Sequence, residues 1–331
     1  VEGLTFVDVC SGAGGLALGL EQAGFEPRLL LDDDEIAVQT LRTNRPEWNV
    51  LRTDLLEFDP AEHPESYDVD LLAAGLPRVR SSATVGRVES GLEERLLEAT
   101  VYLVHAIRPR AVLIENVPEL THADGHEAFR EFARTELEHL GYEFSWFVMN
   151  AVDFGVPQKR KHGVLVAVRQ QWAEAFRPPV RAPGDPVTVG AALASSMAAR
   201  GWTDASRWAA QADQPAPTLV GGSKNRGGAD LGPTRTKRIW ATMGVNAHTV
   251  GDSTPGPDFI WAPELGRENM VKLTVEQAAL LQGFPTTWQI SGRKTARYRQ
   301  VGHATPPPVG RALGRAVAEA LNSDSPASTA G

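Results

Sequence analysis

The chain has 331 residues, 42% hydrophobic and 22% charged, enough to bury a full core over one large domain and a smaller one. A formal net charge of -8 argues against a protein that coats nucleic acid indiscriminately, although a local basic face can still bind DNA. One cysteine excludes a disulfide framework and a Cys-rich zinc site, and with no signal-peptide pattern or membrane-length apolar run the expectation is a cytoplasmic protein away from membranes.

Residues 4–9 form a short apolar run ending in a glycine-rich turn, after which apolar positions recur at helical spacing up to Gly24. That pattern predicts strand, turn, helix. A second strand at 28–31 ends in Asp32-Asp33-Asp34, whose carboxylates suit the start of a helix over 35–42. Continuous apolar runs at 69–74 and 111–114 predict parallel strands covered on both faces, with a helix over 92–107 between them. A helix over 128–140, stopped by Gly141, and strands at 144–149 and 163–168 follow. Such alternation predicts an α/β fold, a doubly wound and mostly parallel sheet with ligands at the carboxyl ends of its strands.

Near Arg177 the character changes. Residues 178–263 are rich in proline and glycine, with the pairs Gly221-Gly222 and Gly227-Gly228, and weak periodicity predicts a loop-rich small domain. Helices are expected again at 274–281 and 309–321. The predicted division is therefore 1–176 for a large domain, 177–272 for a small one, 273–322 for a return to the large one, and a disordered tail over 323–331. The histidines show no ligand spacing with carboxylates or the cysteine, so no metal site is expected.

Five segments carry chemistry: Asp8-Val9-Cys10-Ser11-Gly12-Ala13-Gly14-Gly15, Gly75-Leu76-Pro77-Arg78, Glu115-Asn116-Val117, Pro157-Gln158-Lys159-Arg160 and Gln300-Val301-Gly302-His303-Ala304. In order and approximate spacing they resemble the DNA (cytosine-C5) methyltransferase family, from about Leu4 to Leu321. The resemblance implies the class I S-adenosylmethionine-dependent methyltransferase fold with a smaller target-recognition domain. It also implies double-stranded DNA as partner, base flipping, and a restriction-modification setting.

A glycine-rich turn between strand and helix lets the backbone approach a ligand, although a tight turn without a ligand has the same pattern. The resemblance implies that Asp8, Cys10, Ser11, Gly12, Gly14, Gly15 and Leu16 surround S-adenosylmethionine, with Asp32 on the ribose hydroxyls and Asp54 on the adenine amino group. Asp33, Leu55 and His303 complete the implied pocket. Cys10 and Asp33 stand where many family members place aromatic or bulky side chains against the adenine. Each such contact contributes about 1 kcal/mol beyond burial, so cofactor binding is expected to be weakened or lost.

At the implied catalytic centre Glu115, Asn116 and Arg160 are retained family positions. Arg78 stands where the family has its cysteine nucleophile, and His162 where it has a second arginine. A guanidinium stays protonated and has no lone pair to add to a pyrimidine ring, and losing a covalent nucleophile costs roughly 10⁴ to 10⁶ in rate. These substitutions predict a pseudo-enzyme that binds double-stranded DNA as a reader or as partner of another DNA-processing protein. The alternative is an active DNA-modifying transferase that uses S-adenosylmethionine with altered chemistry or an unforeseen nucleophile.

Between 224 and 238 the acidic chain turns basic: Lys224, Arg226, Arg235, Lys237 and Arg238 stand against one acid, Asp230. Phosphate contact explains such a segment, with Trp240 reaching base edges; a solvated loop would look the same. The flanking segments 215–218, 273–274 and 282–285 resemble the borders of the family's target-recognition region. Arg80 and Arg87 join Arg78 in the loop that the resemblance places over an extruded base.

Overall fold

The computed structural model describes residues 3–79, 90–222 and 228–323. Arg80, Arg87, Lys224, Arg226 and, Ser323 excepted, the expected tail lie outside the described residues. In chain order the first strands and helices are β1 (Leu4–Val9), α1 (Gly15–Gln22), β2 (Phe25–Asp32), α2 (Glu35–Asn44), β3 (Val50–Arg52), β4 (Leu71–Gly75) and α3 (Ser90–Ile107). Then come β5 (Ala111–Asn116), α4 (Glu127–His139), β6 (Tyr142–Asn150), β7 (Gln158–Lys159), β8 (Lys161–Arg169) and α5 (Gln170–Ala173). The rest are α6 (Val189–Ala198), α7 (Ala205–Gln211), β9 (Ala216–Pro217), α8 (Thr234–Thr242), α9 (Val275–Leu281), α10 (Lys294–His303) and α11 (Pro307–Leu321). They divide into two compact units, one of residues 1–149, 161–180 and 309–331, the other of 150–160 and 181–308.

In the first unit seven strands form one sheet in the order β3-β2-β1-β4-β5-β8-β6. Strands β1 to β5 pair in parallel, while β8 runs antiparallel to β5. All six residues of β5 are buried, and the last four of β1 and of β2 are too, which is why these strands read as unbroken apolar runs. Helix α2 starts at Asp34, whose side chain accepts the Ile36 N–H at 2.9 Å, a cap that stabilises by about 1 kcal/mol. From β1 the strand order runs outward to β2 and β3 on one side and to β4 and β5 on the other. The order reverses between β1 and β4, and in doubly wound sheets ligands bind at the carboxyl ends of the strands at such a point.

The second unit is more helical than its sequence suggests. Residues 189–198 read Val-Gly-Ala-Ala-Leu-Ala-Ser-Ser-Met-Ala, and small residues on every side erase the apolar period that reveals a helix. They make α6, capped by Thr188 and seated so closely on α7 that a Cβ on Gly190 would lie 2.0 Å from the Ala209 carbonyl oxygen. Helix α9 opens with a capping box between Thr274 and Gln277, and the Gln277 amide donates to Ser196 Oγ of α6 at 3.1 Å. The second unit runs to Pro308, and the first takes the chain up again at Val309. Among the described residues no helix is long and apolar enough to cross a membrane.

Candidate active site and nucleic-acid interface

At the end of β1 the backbone turns sharply through Cys10 (φ 55°), Gly12 (φ 54°) and Gly14 (φ 80°) into α1. Cysteine adopts this left-handed region at a steric cost, and Ser11 N–H donates to the Leu31 carbonyl at 3.1 Å to hold the turn. Asp32, at the end of β2, accepts the N–H of Gly12 at 2.8 Å and of Asp34 at 2.9 Å. Burial pushes its carboxyl up to about 6, against those two donors. Nothing lies within 4 Å of a Cβ built on Gly12, so space is open above the turn.

Beneath it Asp8 is fully buried, and neither carboxylate oxygen has a hydrogen-bond partner among the described residues. Burial pushes this acid up to about 8, the Ser11 hydroxyl acting against the shift and the nearby Asp32 charge adding to it. A buried carboxylate without donors fits a ligand that brings positive charge. Asp54 is half-buried and accepts the Leu56 N–H at 2.9 Å, while Asp33 is exposed. Leu16 and Leu55 are buried. Cys10, a free thiol, is pushed well above the ordinary thiol range by burial and then by Asp32, Asp8, Asp33 and Asp54.

A second cluster gathers beyond the carboxyl ends of β4 and β5. Glu115 is 4% exposed, and its Oε1 lies 2.6 Å from His162 Nδ1 and 3.9 Å from Arg78 Nη2. His162 is fully buried on β8, one residue before Gly163, where a Cβ would fall 2.2 Å from the Val117 carbonyl oxygen. Only glycine permits that approach, and the approach brings His162 to Glu115. Asn116 faces the other way. Its Oδ1 accepts the N–H of Val79 at 3.0 Å and of Val117 at 2.9 Å, and its Nδ2 donates to the Pro77 carbonyl at 3.1 Å. The turn carrying Arg78 is thereby clamped to the end of β5. Sequence reasoning named Asn116 and missed this clamp, because nothing local couples residue 116 to residues 77 and 79.

Arg160 belongs to the second unit. It is 1% exposed, and its Nη1 donates to the carbonyls of Leu219 at 2.9 Å and Gly302 at 2.8 Å. His303, implied for the cofactor, is exposed on the same unit with Nε2 3.1 Å from the Gly222 carbonyl oxygen. On α8, Arg235 and Arg238 are exposed, while Lys237 pairs with Asp230 at 2.8 Å. The expectation for Trp240 is corrected: it is fully buried, because it falls on the apolar face of a short amphipathic helix, and cannot reach a base edge.

The chain matches the family model for C-5 cytosine-specific DNA methylase over residues 4–319. It is 42% identical over 325 residues to the type II methyltransferase M.NaeI of Lentzea aerocolonigenes, covering 97% of this chain and 76% of the relative. It is 35% identical over 329 residues to the type II methyltransferase M.NgoMIV of Neisseria gonorrhoeae, covering 97% and 99%. Among solved structures, the S. pombe Dnmt2 methyltransferase aligns with a TM-score of 0.63 at 16% identity over 96% of this chain and 99% of that one. The Entamoeba histolytica methyltransferase EhMeth aligns with 0.66 at 14% over 97% and 99%, and these two likenesses show the fold.

The matches overturn the pseudo-enzyme expectation drawn from Arg78. Two relatives at 42% and 35% identity over nearly the whole chain are methyltransferases. The chain belongs to the C-5 cytosine-specific DNA methylase family.

Proposed function

We propose that the chain is a type II modification enzyme that methylates cytosine in double-stranded DNA with S-adenosylmethionine as donor. The observation that carries this reading is the 42% identity to a type II methyltransferase across 97% of the chain. The residues around the β1 turn fit the cofactor, which when bound supplies an electrophilic methyl on a sulfonium. Asp8 offers a buried acid that a neighbouring positive charge would favour ionising, and Asp32 offers acceptor capacity beside the open face of Gly12. On the base side Glu115, held by His162, is the group to hydrogen-bond the ring as charge develops on it.

Arg78 favours a second reading within the same class, an active transferase of altered chemistry. Neither the guanidinium nor the protonated thiol of Cys10 is a competent nucleophile toward the ring. In that reading the methyl goes to an atom that needs no covalent activation, or another group makes the addition. Incubation with methyl-labelled S-adenosylmethionine and duplex DNA, followed by mass spectrometry of the nucleosides, separates the readings. The expected product is 5-methylcytosine. Label on an exocyclic nitrogen supports the second reading, and an unlabelled digest from a folded, cofactor-saturated protein overturns both.

A further inference from the structure

In the second unit α10 is a cationic helix without an acid: Lys294-Thr-Ala-Arg-Tyr-Arg-Gln-Val-Gly-His303, preceded by Arg293. Two of its charges are matched, Lys294 by Asp252 at 2.8 Å and Arg297 by Glu276. Arg299 has no ion pair among the described residues, and its Nε is buried with no hydrogen-bond partner among them.

The segment at Val220 and Gly221 is squeezed between α10 and the lead-in to α8. A Cβ on Gly221 would lie 2.6 Å from the Arg299 carbonyl oxygen and 2.4 Å from the His303 ring. One on Gly302 would lie 2.3 Å from Gly221 N, and one on Gly232 would lie 2.9 Å from Val220 Cγ2. Side chains at these glycines would push the elements apart, so α10 and the start of α8 flank one stretch of backbone. Arg235 and Arg238 on α8 are exposed and have no ion pair among the described residues. Cations without an ion pair among the described residues on both sides of one segment, in a chain of net charge -8, fit an anionic polymer.

We propose that α10 is a second phosphate-contacting element, with Arg299 gripping the DNA backbone alongside Arg235 and Arg238 of α8. The inference rests on the reading of the chain as a DNA methyltransferase and adds to it a contact outside the basic segment of 224–238. Because a phosphate contact is blind to sequence, its loss weakens binding to all duplexes alike and lowers the salt dependence.

The test is fluorescence anisotropy with the full chain and a labelled random-sequence duplex over a series of salt concentrations. Arg299→Ala should make the slope of log K against log salt shallower by about one, while Arg299→Lys keeps most of it. Lys294→Ala, which removes a charge already matched by Asp252, should leave the slope unchanged. If the wild-type chain binds and Arg299→Ala retains the full slope with an unchanged melting temperature, the role of α10 is overturned while the methyltransferase reading stands. If Arg299→Lys falls as far as Arg299→Ala, a structural role replaces the phosphate contact. If the wild-type chain binds no duplex, both readings fall.

Discussion

Around Glu115 the main chain supplies the geometry, whereas around Arg160 side chains do. Glu115 lies on a strand hydrogen-bonded on both sides, with Gly75 of β4 and Val164 of β8 as register partners, so its position follows from the sheet. In the second unit the strands shrink to the two-residue pair β7 and β9, and buried amides replace the ladder. Gln158 Nε2 donates to Gln282 Oε1 at 2.7 Å, Gln158 Oε1 accepts Leu219 N–H at 2.8 Å, and Gln282 Nε2 donates to the Val301 carbonyl at 2.6 Å. Arg160 then ties Leu219 to Gly302. A sheet tolerates side-chain change that leaves its backbone alone. A unit knitted by side-chain amides does not, since each lost partner strands a buried polar group.

The sharpest way to break this contrast is Gly163→Ala, which collides with backbone in the first unit. With a Cβ 2.2 Å from the Val117 carbonyl oxygen, the strand and the segment after β5 must separate. A loss above about 4 kcal/mol is expected, read as a collapse of the melting transition; a variant melting within a few degrees of wild type would show that the sheet can yield. Next is Glu115→Gln, which keeps the backbone and changes the chemistry. Methyl transfer should fall by about 10² to 10³ in single-turnover assays while the melting temperature holds.

In the second unit Gln282→Ala should cost about 2–4 kcal/mol, measured by denaturant unfolding, although it touches no substrate in this reading. A cost below 1 kcal/mol would remove the distinction between the units. Asp8 sharpens the comparison from the cofactor side. In the unfolded chain its acid ionises near 3.8, and in the folded chain it holds its proton up to about 8. Since the folded state binds the extra proton, stability falls as pH rises between those values. Asp8→Asn should flatten the melting temperature against pH and stabilise the ligand-free protein near pH 8 by a few kcal/mol, on the order expected for a buried acid. The smallest effect is expected from Lys237→Ala. Its pair with Asp230 is partly exposed, so unfolding should shift by less than about 1 kcal/mol.

Much of the first unit could be read from the chain, because buried parallel strands announce themselves as apolar runs and Gly12 and Gly14 mark the turn that needs positive φ. The three-residue β3 escaped, being too short for any period, as did the antiparallel course of β8. In the second unit α6 was hidden by its small residues, and α10 by its charges. Trp240 was misjudged because composition places an aromatic near the cations without saying which face of the helix it occupies. The candidate site residues could be proposed one by one, yet the Asn116 clamp and the Glu115–His162 contact join residues 37 and 47 positions apart, beyond any local signal.

Sequence alone determined the alternation of strands and helices, the glycine turn and the roster of charged groups, all properties of neighbours along the chain. Tertiary structure decided which of those charges stay unmatched, which carboxylate loses its water, and which helix face meets solvent. These depend on what the fold brings alongside, and the free energy of a charge is set by its surroundings in space.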